Sequence, residues 1–118
     1  MRILVVEDDQ PLRRLLVRYL REGGYVVDEA EDGAEALTRM SAEVPDVVLL
    51  DMVMPGVTGP EFMAACRNDP RLAPVPVVVL SGAPADEFSA SQLGARAYLM
   101  KPIDLDVLRA VIDRVTTS

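Results

Sequence analysis

The chain has 118 residues, half of them apolar and about a quarter charged, which is ordinary for one soluble globular domain. Its net charge of −7 argues against nucleic-acid binding by this domain and is compatible with a site for a cation. The single cysteine, Cys66, excludes an internal disulfide bond and fits a reducing cytosol.

No apolar run approaches the ~20 residues that span a bilayer. A charged pair follows the first apolar run at once, so we expect no signal peptide. These features predict a cytoplasmic domain that occupies residues 1–118 and does not enter a membrane.

Short apolar runs rich in β-branched residues predict five strands. They are Ile3–Val6, Tyr25–Val27, Val47–Leu50, Val75–Leu80 and Ala97–Met100.

Apolar residues at helical spacing lie between these runs. The first set is Leu12, Leu15, Leu16, Tyr19 and Leu20. We expect Asp9 to cap this helix and Gly23-Gly24 to end it. Later helices are expected to open at Asp32-Gly33, after Gly59-Pro60 and at Asp104.

The segment between Ser81 and Leu93 contains glycine, proline and two serines, which are poor in helix interiors. We therefore expect a short or irregular helix there. Strand and helix alternate throughout the chain with short links, which predicts an α/β fold with a parallel sheet covered by helices on both faces.

Polar residues follow four of the predicted strands. Glu7-Asp8-Asp9, Asp51, Ser81 and Lys101 occupy these positions. Ligands of open parallel sheets bind at the carboxyl ends of the strands. If these ends converge, the carboxylates need a cation beyond one lysine, and Mg²⁺ suits oxygen ligands of this kind. Such a site is equipped for phosphoryl transfer to a carboxylate.

Each residue also has an ordinary structural interpretation. The acidic run could simply complement a helix dipole, and Asp51 could be a turn residue at a strand end. Ser81 and Lys101 could be ordinary turn and surface residues. Placement at four strand ends together favours a site, in which Asp9 could be a further ligand instead of only a helix cap.

Four motifs in order give the sequence a family resemblance. They are ILVVEDD, DVVLLDMVMPGVTG, VVVLSG and AYLMKP. With them the chain resembles the receiver domains of bacterial two-component response regulators, especially chemotaxis regulators. The resemblance implies a flavodoxin-like (βα)5 three-layer sandwich with strand order 2-1-3-4-5.

The resemblance also implies a role for each motif residue. Mg²⁺, or Mn²⁺ in its place, would be bound by Asp8, Asp51 and the backbone carbonyl of Val53, and by Glu7 through water. Asp51 would also be the phosphoacceptor.

Lys101 would bind the phosphoryl group, and its bond to Pro102 would be cis. Ser81 would be the switch hydroxyl. Tyr98 would be the switch aromatic residue, or alternatively a residue that only packs on the edge strand.

The function implied is that of a phosphoacceptor in a phosphorelay. A sensor histidine kinase or a histidine phosphotransfer protein would supply the phosphoryl group. The output would pass through the face formed by the helix between Ser81 and Leu93, the fifth strand and the last helix, to an output protein or an effector domain outside this sequence. That region is about two residues shorter than expected for the family, so its partner could be unusual.

Two other functions compete with this interpretation. The chain could be a receiver-fold binding module that signals without phosphorylation. It could also be an aspartate-nucleophile phosphohydrolase, but Val53 stands where such an enzyme needs a general acid. We therefore expect a regulatory domain that promotes its own phosphorylation and slow acyl-phosphate hydrolysis, rather than an enzyme.

Overall fold

The computed structural model describes residues 1–52, 56–83 and 91–117. The strands are β1 (Arg2–Val6), β2 (Val26–Ala30), β3 (Val47–Asp51), β4 (Val77–Ser81) and β5 (Ala97–Met100). The helices are α1 (Gln10–Glu22), α2 (Gly33–Ala42), α3 (Gly59–Arg67) and α4 (Leu105–Thr116). The short helix predicted between Ser81 and Leu93 falls mainly on residues 84–90, which lie outside the described residues.

All five strands pair in parallel, in the order β2-β1-β3-β4-β5, which confirms the predicted sheet. The register sets Asp51 beside Leu80 and Ser81 beside Met100. The carboxyl ends of the three central strands and β5 therefore meet at one edge of the sheet.

The core has two layers because successive strand residues point to opposite faces of the sheet. Leu4, Val6, Val48 and Leu50 pack with α2 and α3 on one face. The residues between them on the same strands pack with α1 and α4 on the other face. Strands buried on both faces explain the continuous apolar runs in the sequence.

Two strands differ from the prediction by more than one residue at one end, whereas β1 and β3 are each one residue longer than predicted. The strand β2 runs on through Asp28 and Glu29, which pair with arginines at the edge of the sheet. The strand β4 begins only at Val77, because Pro76 has no N–H to donate and contributes only its carbonyl, which accepts from the N–H of Val48.

The buried face of α1 also differs from the predicted stripe. Leu15 is 51% exposed, whereas Arg13 and Val17 are buried with Leu16 and Leu20. The sequence pattern concealed this face because a buried arginine interrupts it.

The predicted helix caps are confirmed. The side chains of Asp9, Asp32 and Asp104 each accept a hydrogen bond from the first turn of the following helix, and Gly23 ends α1. In the part of the chain that the structure describes, no helix has the length and apolar character needed to cross a bilayer.

Candidate functional site

The polar residues predicted at four strand ends lie at one edge of the sheet. Glu7 and Asp8 directly follow β1, Asp51 ends β3, Ser81 ends β4, and Lys101 directly follows β5. The parallel topology thus brings together residues that are up to 94 positions apart in the chain, from Glu7 to Lys101.

Three carboxylates form the centre of this cluster. One oxygen each of Glu7, Asp8 and Asp51 lies within 4.8 Å of the other two. Glu7 is fully buried and Asp51 is 4% exposed, whereas Asp8 is exposed. The cluster therefore has a buried floor and one side open to solvent.

Lys101 supplies positive charge to the floor of the cluster. Its Nζ lies 2.7 Å from Oε1 of Glu7 and 3.4 Å from Oδ1 of Asp51. Burial alone would lower the pKa of Lys101, but its contacts with both carboxylates outweigh burial and raise it. Lys101 is therefore an ammonium ion at neutral pH.

One ammonium does not balance three carboxylates. Burial raises the pKa of Asp51 to about 7, and the proximity of Glu7 and Asp8 adds to the rise while Lys101 opposes it. Partial burial would raise the pKa of Asp8, but hydrogen bonding with Asp51 and Glu7 outweighs it and lowers that pKa. Asp51 is therefore harder to ionise than an isolated carboxyl group, and a bound cation would favour its carboxylate form.

These residues fit a hard divalent ion. The donors are carboxylate oxygens, which Mg²⁺ and Mn²⁺ prefer. Within the described ranges, the buried Oε1 of Glu7 accepts no well-aligned hydrogen bond, so part of its capacity as an acceptor is unused. The carbonyl of Val53, the remaining predicted ligand, lies outside the described residues.

Ser81 and Tyr98 both bond to the backbone of one residue. The hydroxyl of Ser81 accepts from the N–H of Ala83 at 3.1 Å, and the hydroxyl of Tyr98 donates to the carbonyl of Ala83 at 2.6 Å. Tyr98 also packs against the core layer of α2 and α3. The two side chains are therefore linked through one residue of the β4 loop.

Asp9 and the bond between Lys101 and Pro102 are as predicted. The Asp9 side chain accepts from the N–H of Leu12 and caps α1, and the Lys101–Pro102 peptide bond is cis.

Sequence reasoning missed two contributors to the site. Arg13 reaches the backbone of Glu7 from α1. Its helical spacing to Leu16, Val17 and Leu20 was the only trace in the sequence, and its charge concealed it. Thr58 and Glu61 form a capping box that fixes the start of α3 after the β3 loop. The spacing T-x-x-E is a known sign of this cap.

The sequence matches the response regulator receiver domain family over residues 3–113. The chain belongs to this family. Among its relatives, the transcriptional regulatory protein TcrA of Mycobacterium tuberculosis is 39% identical over 109 residues, which are 92% of this chain and 43% of TcrA. The chemotaxis protein CheY of Pseudomonas aeruginosa is 35% identical over 118 residues, covering 98% of this chain and 95% of CheY.

The fold of this receiver domain also matches solved structures. The chemotaxis protein CheY4 of Vibrio cholerae superposes with a TM-score of 0.90 at 31% identity, over 97% of each chain. The chain spans about half the length, or less, of several relatives that it matches, TcrA among them.

Proposed function

We propose that residues 1–118 form one receiver domain that accepts a phosphoryl group on Asp51 from a phosphohistidine donor. The observation that carries this proposal is the placement of Asp51, 4% exposed at the end of β3, within reach of two further carboxylates and an ammonium. A sensor histidine kinase or a histidine phosphotransfer protein would be the donor.

The transfer requires Asp51 as a carboxylate. One of its oxygens attacks phosphorus, the P–N bond to the donor imidazole breaks, and the bonding electrons remain with the imidazole nitrogen. The product is an acyl phosphate on Asp51. Lys101, already 3.4 Å from Oδ1 of Asp51, would pair with a phosphoryl oxygen and keep the acceptor oriented.

The metal would be held by Asp8, Asp51 and the carbonyl of Val53, with Glu7 contributing through water. When bound, Mg²⁺ or Mn²⁺ would offset the negative charge of the phosphoryl oxygens. The carboxylates within 4.8 Å of one another support this assignment.

The Ser81 hydroxyl would donate to a phosphoryl oxygen, which requires a change at the end of β4. Ala83 binds both Ser81 and Tyr98, so a shift of Ser81 would alter the Tyr98 hydrogen bond. This link supports Tyr98 as the residue that passes the change to the surface near β5. The output partner, a separate protein or an effector domain like those of longer relatives, would recognise that surface.

The proposal is tested by incubating the chain with Mg²⁺ and phosphoramidate and measuring its intact mass. We expect a gain of one phosphoryl group that is lost with EDTA or with Asp51→Asn. Asp104→Asn is the matched control, because Asp104 is an exposed cap of α4 and asparagine also caps helices. This control should be phosphorylated like the parent chain.

A chain that gains no mass, or that gains the same mass in Asp51→Asn, would contradict the proposal. The first result would favour the binding module that signals without phosphorylation.

A further inference from the structure

Arg13 is a buried cation on α1. It is 8% exposed and shares the buried face of the helix with Leu16, Val17 and Leu20. A buried guanidinium is costly unless charges and hydrogen bonds compensate it. The groups that accept hydrogen bonds from Arg13 therefore indicate why an arginine occupies this position.

The guanidinium bridges two strands. Its Nη1 donates to the carbonyl of Glu7 at 2.8 Å, and its Nε donates to Oε1 of Glu29 at 3.0 Å. Glu29 lies near the end of β2, and Glu7 is the first residue after β1. The N–H of Glu7 is also tied to β2, through the carbonyl of Ala30 at 3.1 Å. Both peptide groups of Glu7 are thus held at the point where the acidic cluster begins.

We infer that Arg13 is a positioning residue for the metal site, an inference that rests on the function proposed above. By fixing the Glu7 carbonyl against the end of β2, Arg13 holds the backbone that directs the carboxylates of Glu7 and Asp8 toward Asp51. A planar guanidinium donates in two fixed directions at once, which an ammonium cannot reproduce. Lysine at this position would keep the positive charge but would not make both hydrogen bonds, to the Glu7 carbonyl and to Glu29.

Charge and positioning predict opposite effects on the metal. Removing a cation near an acidic site strengthens cation binding, because repulsion between Arg13 and the metal is lost. Loss of positioning weakens binding, because the carboxylates are no longer held together. The direction of the change in Mg²⁺ affinity therefore distinguishes an effect of charge from an effect of positioning.

The experiment measures Mg²⁺ affinity by calorimetry on the full chain with Arg13→Lys and Arg13→Gln. We expect both to bind Mg²⁺ roughly tenfold more weakly, the size typical for residues that orient metal ligands. Arg14→Gln is the matched control, since Arg14 is the exposed neighbour of Arg13 on α1. It should bind Mg²⁺ as well as the parent chain or slightly better.

A second pair of variants tests the other end of the bridge and does not remove the buried arginine. Glu29→Ala removes the acceptor of Nε, and Glu31→Ala removes an equal charge beside the same surface cavity near Arg13. We expect Glu29→Ala to weaken Mg²⁺ binding severalfold more than Glu31→Ala. Equal affinities for this pair would overturn the inference.

Arg13→Lys with unchanged Mg²⁺ affinity would also overturn the inference, even if its melting temperature falls, because Arg13 would then serve stability alone. If the parent chain itself binds no Mg²⁺, the proposed function fails instead. Amide hydrogen exchange of metal-free protein then tests the bridge directly. Exchange at Glu7–Asp9 should be faster in Arg13→Lys with exchange in Leu108–Ile112 unchanged, and equal exchange at Glu7–Asp9 would refute the bridge.

Discussion

The carboxylate of Asp51 has two carboxylate neighbours and one ammonium neighbour. Its pKa of about 7, against a usual value near 4, means that the folded metal-free protein keeps a proton that the unfolded chain releases. The contribution of this proton to the free energy of unfolding is fully present below pH ~4 and is lost as the pH rises through about 7. Asp51 therefore destabilises the metal-free domain in mildly alkaline solution.

Replacing this charge should stabilise the fold. We expect Asp51→Asn to raise the free energy of unfolding in EDTA by about 1–2 kcal/mol at pH 8, and by much less at pH 5. Urea denaturation at the two pH values measures the change. Asp104→Asn should show no such difference between the two pH values. An Asp51→Asn protein no more stable than the parent at pH 8 would be inconsistent with this account.

The residues of the candidate site differ in how far the sequence could predict them. The positions of Glu7, Asp8, Asp51, Ser81 and Lys101 at strand ends followed from the alternation of apolar runs and polar ends. Arg13 did not, because a charged residue in a helix is expected on the solvent face until its partners are known. The partners, Glu29 and the Glu7 carbonyl, belong to other elements and are visible only in three dimensions.

At the scale of elements, α3 begins with a capping box. The Thr58 side chain accepts from the N–H of Glu61, and the Glu61 side chain accepts from the N–H of Thr58. Thr58→Ala should lower the free energy of unfolding by about 1 kcal/mol, since the N–H of Glu61 loses its acceptor while the hydrogen bond from the backbone of residue 58 to the Glu61 side chain can remain. Urea denaturation measures this loss.

Thr38→Ala is a matched control for the cap. The Thr38 hydroxyl donates to the carbonyl of Ala34 inside α2, an arrangement that does not stabilise a helix. This variant should be as stable as the parent or slightly more so. Equal losses for the two alanine variants would argue against a capping effect.

Gly59 lets α3 approach the end of β3. A Cβ at this position would lie 2.8 Å from the carbonyl oxygen of Met52 and 3.0 Å from its Cα. Because the backbone atoms of Met52 cannot relieve this clash by changing rotamer, Gly59→Ala should lower the free energy of unfolding by about 1–3 kcal/mol. Thermal or urea unfolding would reveal this cost.

Gly82→Ala provides the comparison, because a Cβ at Gly82 meets nothing within 4 Å. The Gly82→Ala variant should be as stable as the parent chain or up to about 1 kcal/mol more stable, because alanine lowers the conformational entropy of the unfolded chain. If Gly59→Ala were tolerated equally well, the close approach of α3 to Met52 would not constrain the fold.

Element boundaries were predicted less well than the elements themselves. The strand β2 continues to pair with β1 through Asp28 and Glu29, whose side chains contact arginines, and Pro76 delays the start of β4. In α1, Leu15 is exposed whereas Arg13 is buried beside partners in other parts of the chain. Apolar periodicity contains no direct information on these polar contacts.

At the scale of the whole molecule, the alternation of strands and helices predicted a parallel sheet, and the family resemblance supplied its strand order. This order places β1, β3, β4 and β5 side by side, so residues distant in sequence share one edge. The segment 84–90 and the carbonyl of Val53 lie outside the described residues, so the predicted helix there and the third protein ligand stay predictions.

The central claim is that Glu7, Asp8 and Asp51 form one cation site at this edge of the sheet. Titration of the ¹⁵N-labelled chain with Mn²⁺, whose unpaired electrons broaden nearby amide signals, tests it most directly. We expect signals of Glu7–Asp9, Asp51 and Lys101 to broaden first and Mg²⁺ to restore them. Broadening that begins instead at exposed acidic residues such as Asp106 and Asp113 of α4, or that Mg²⁺ does not reverse, would contradict the account.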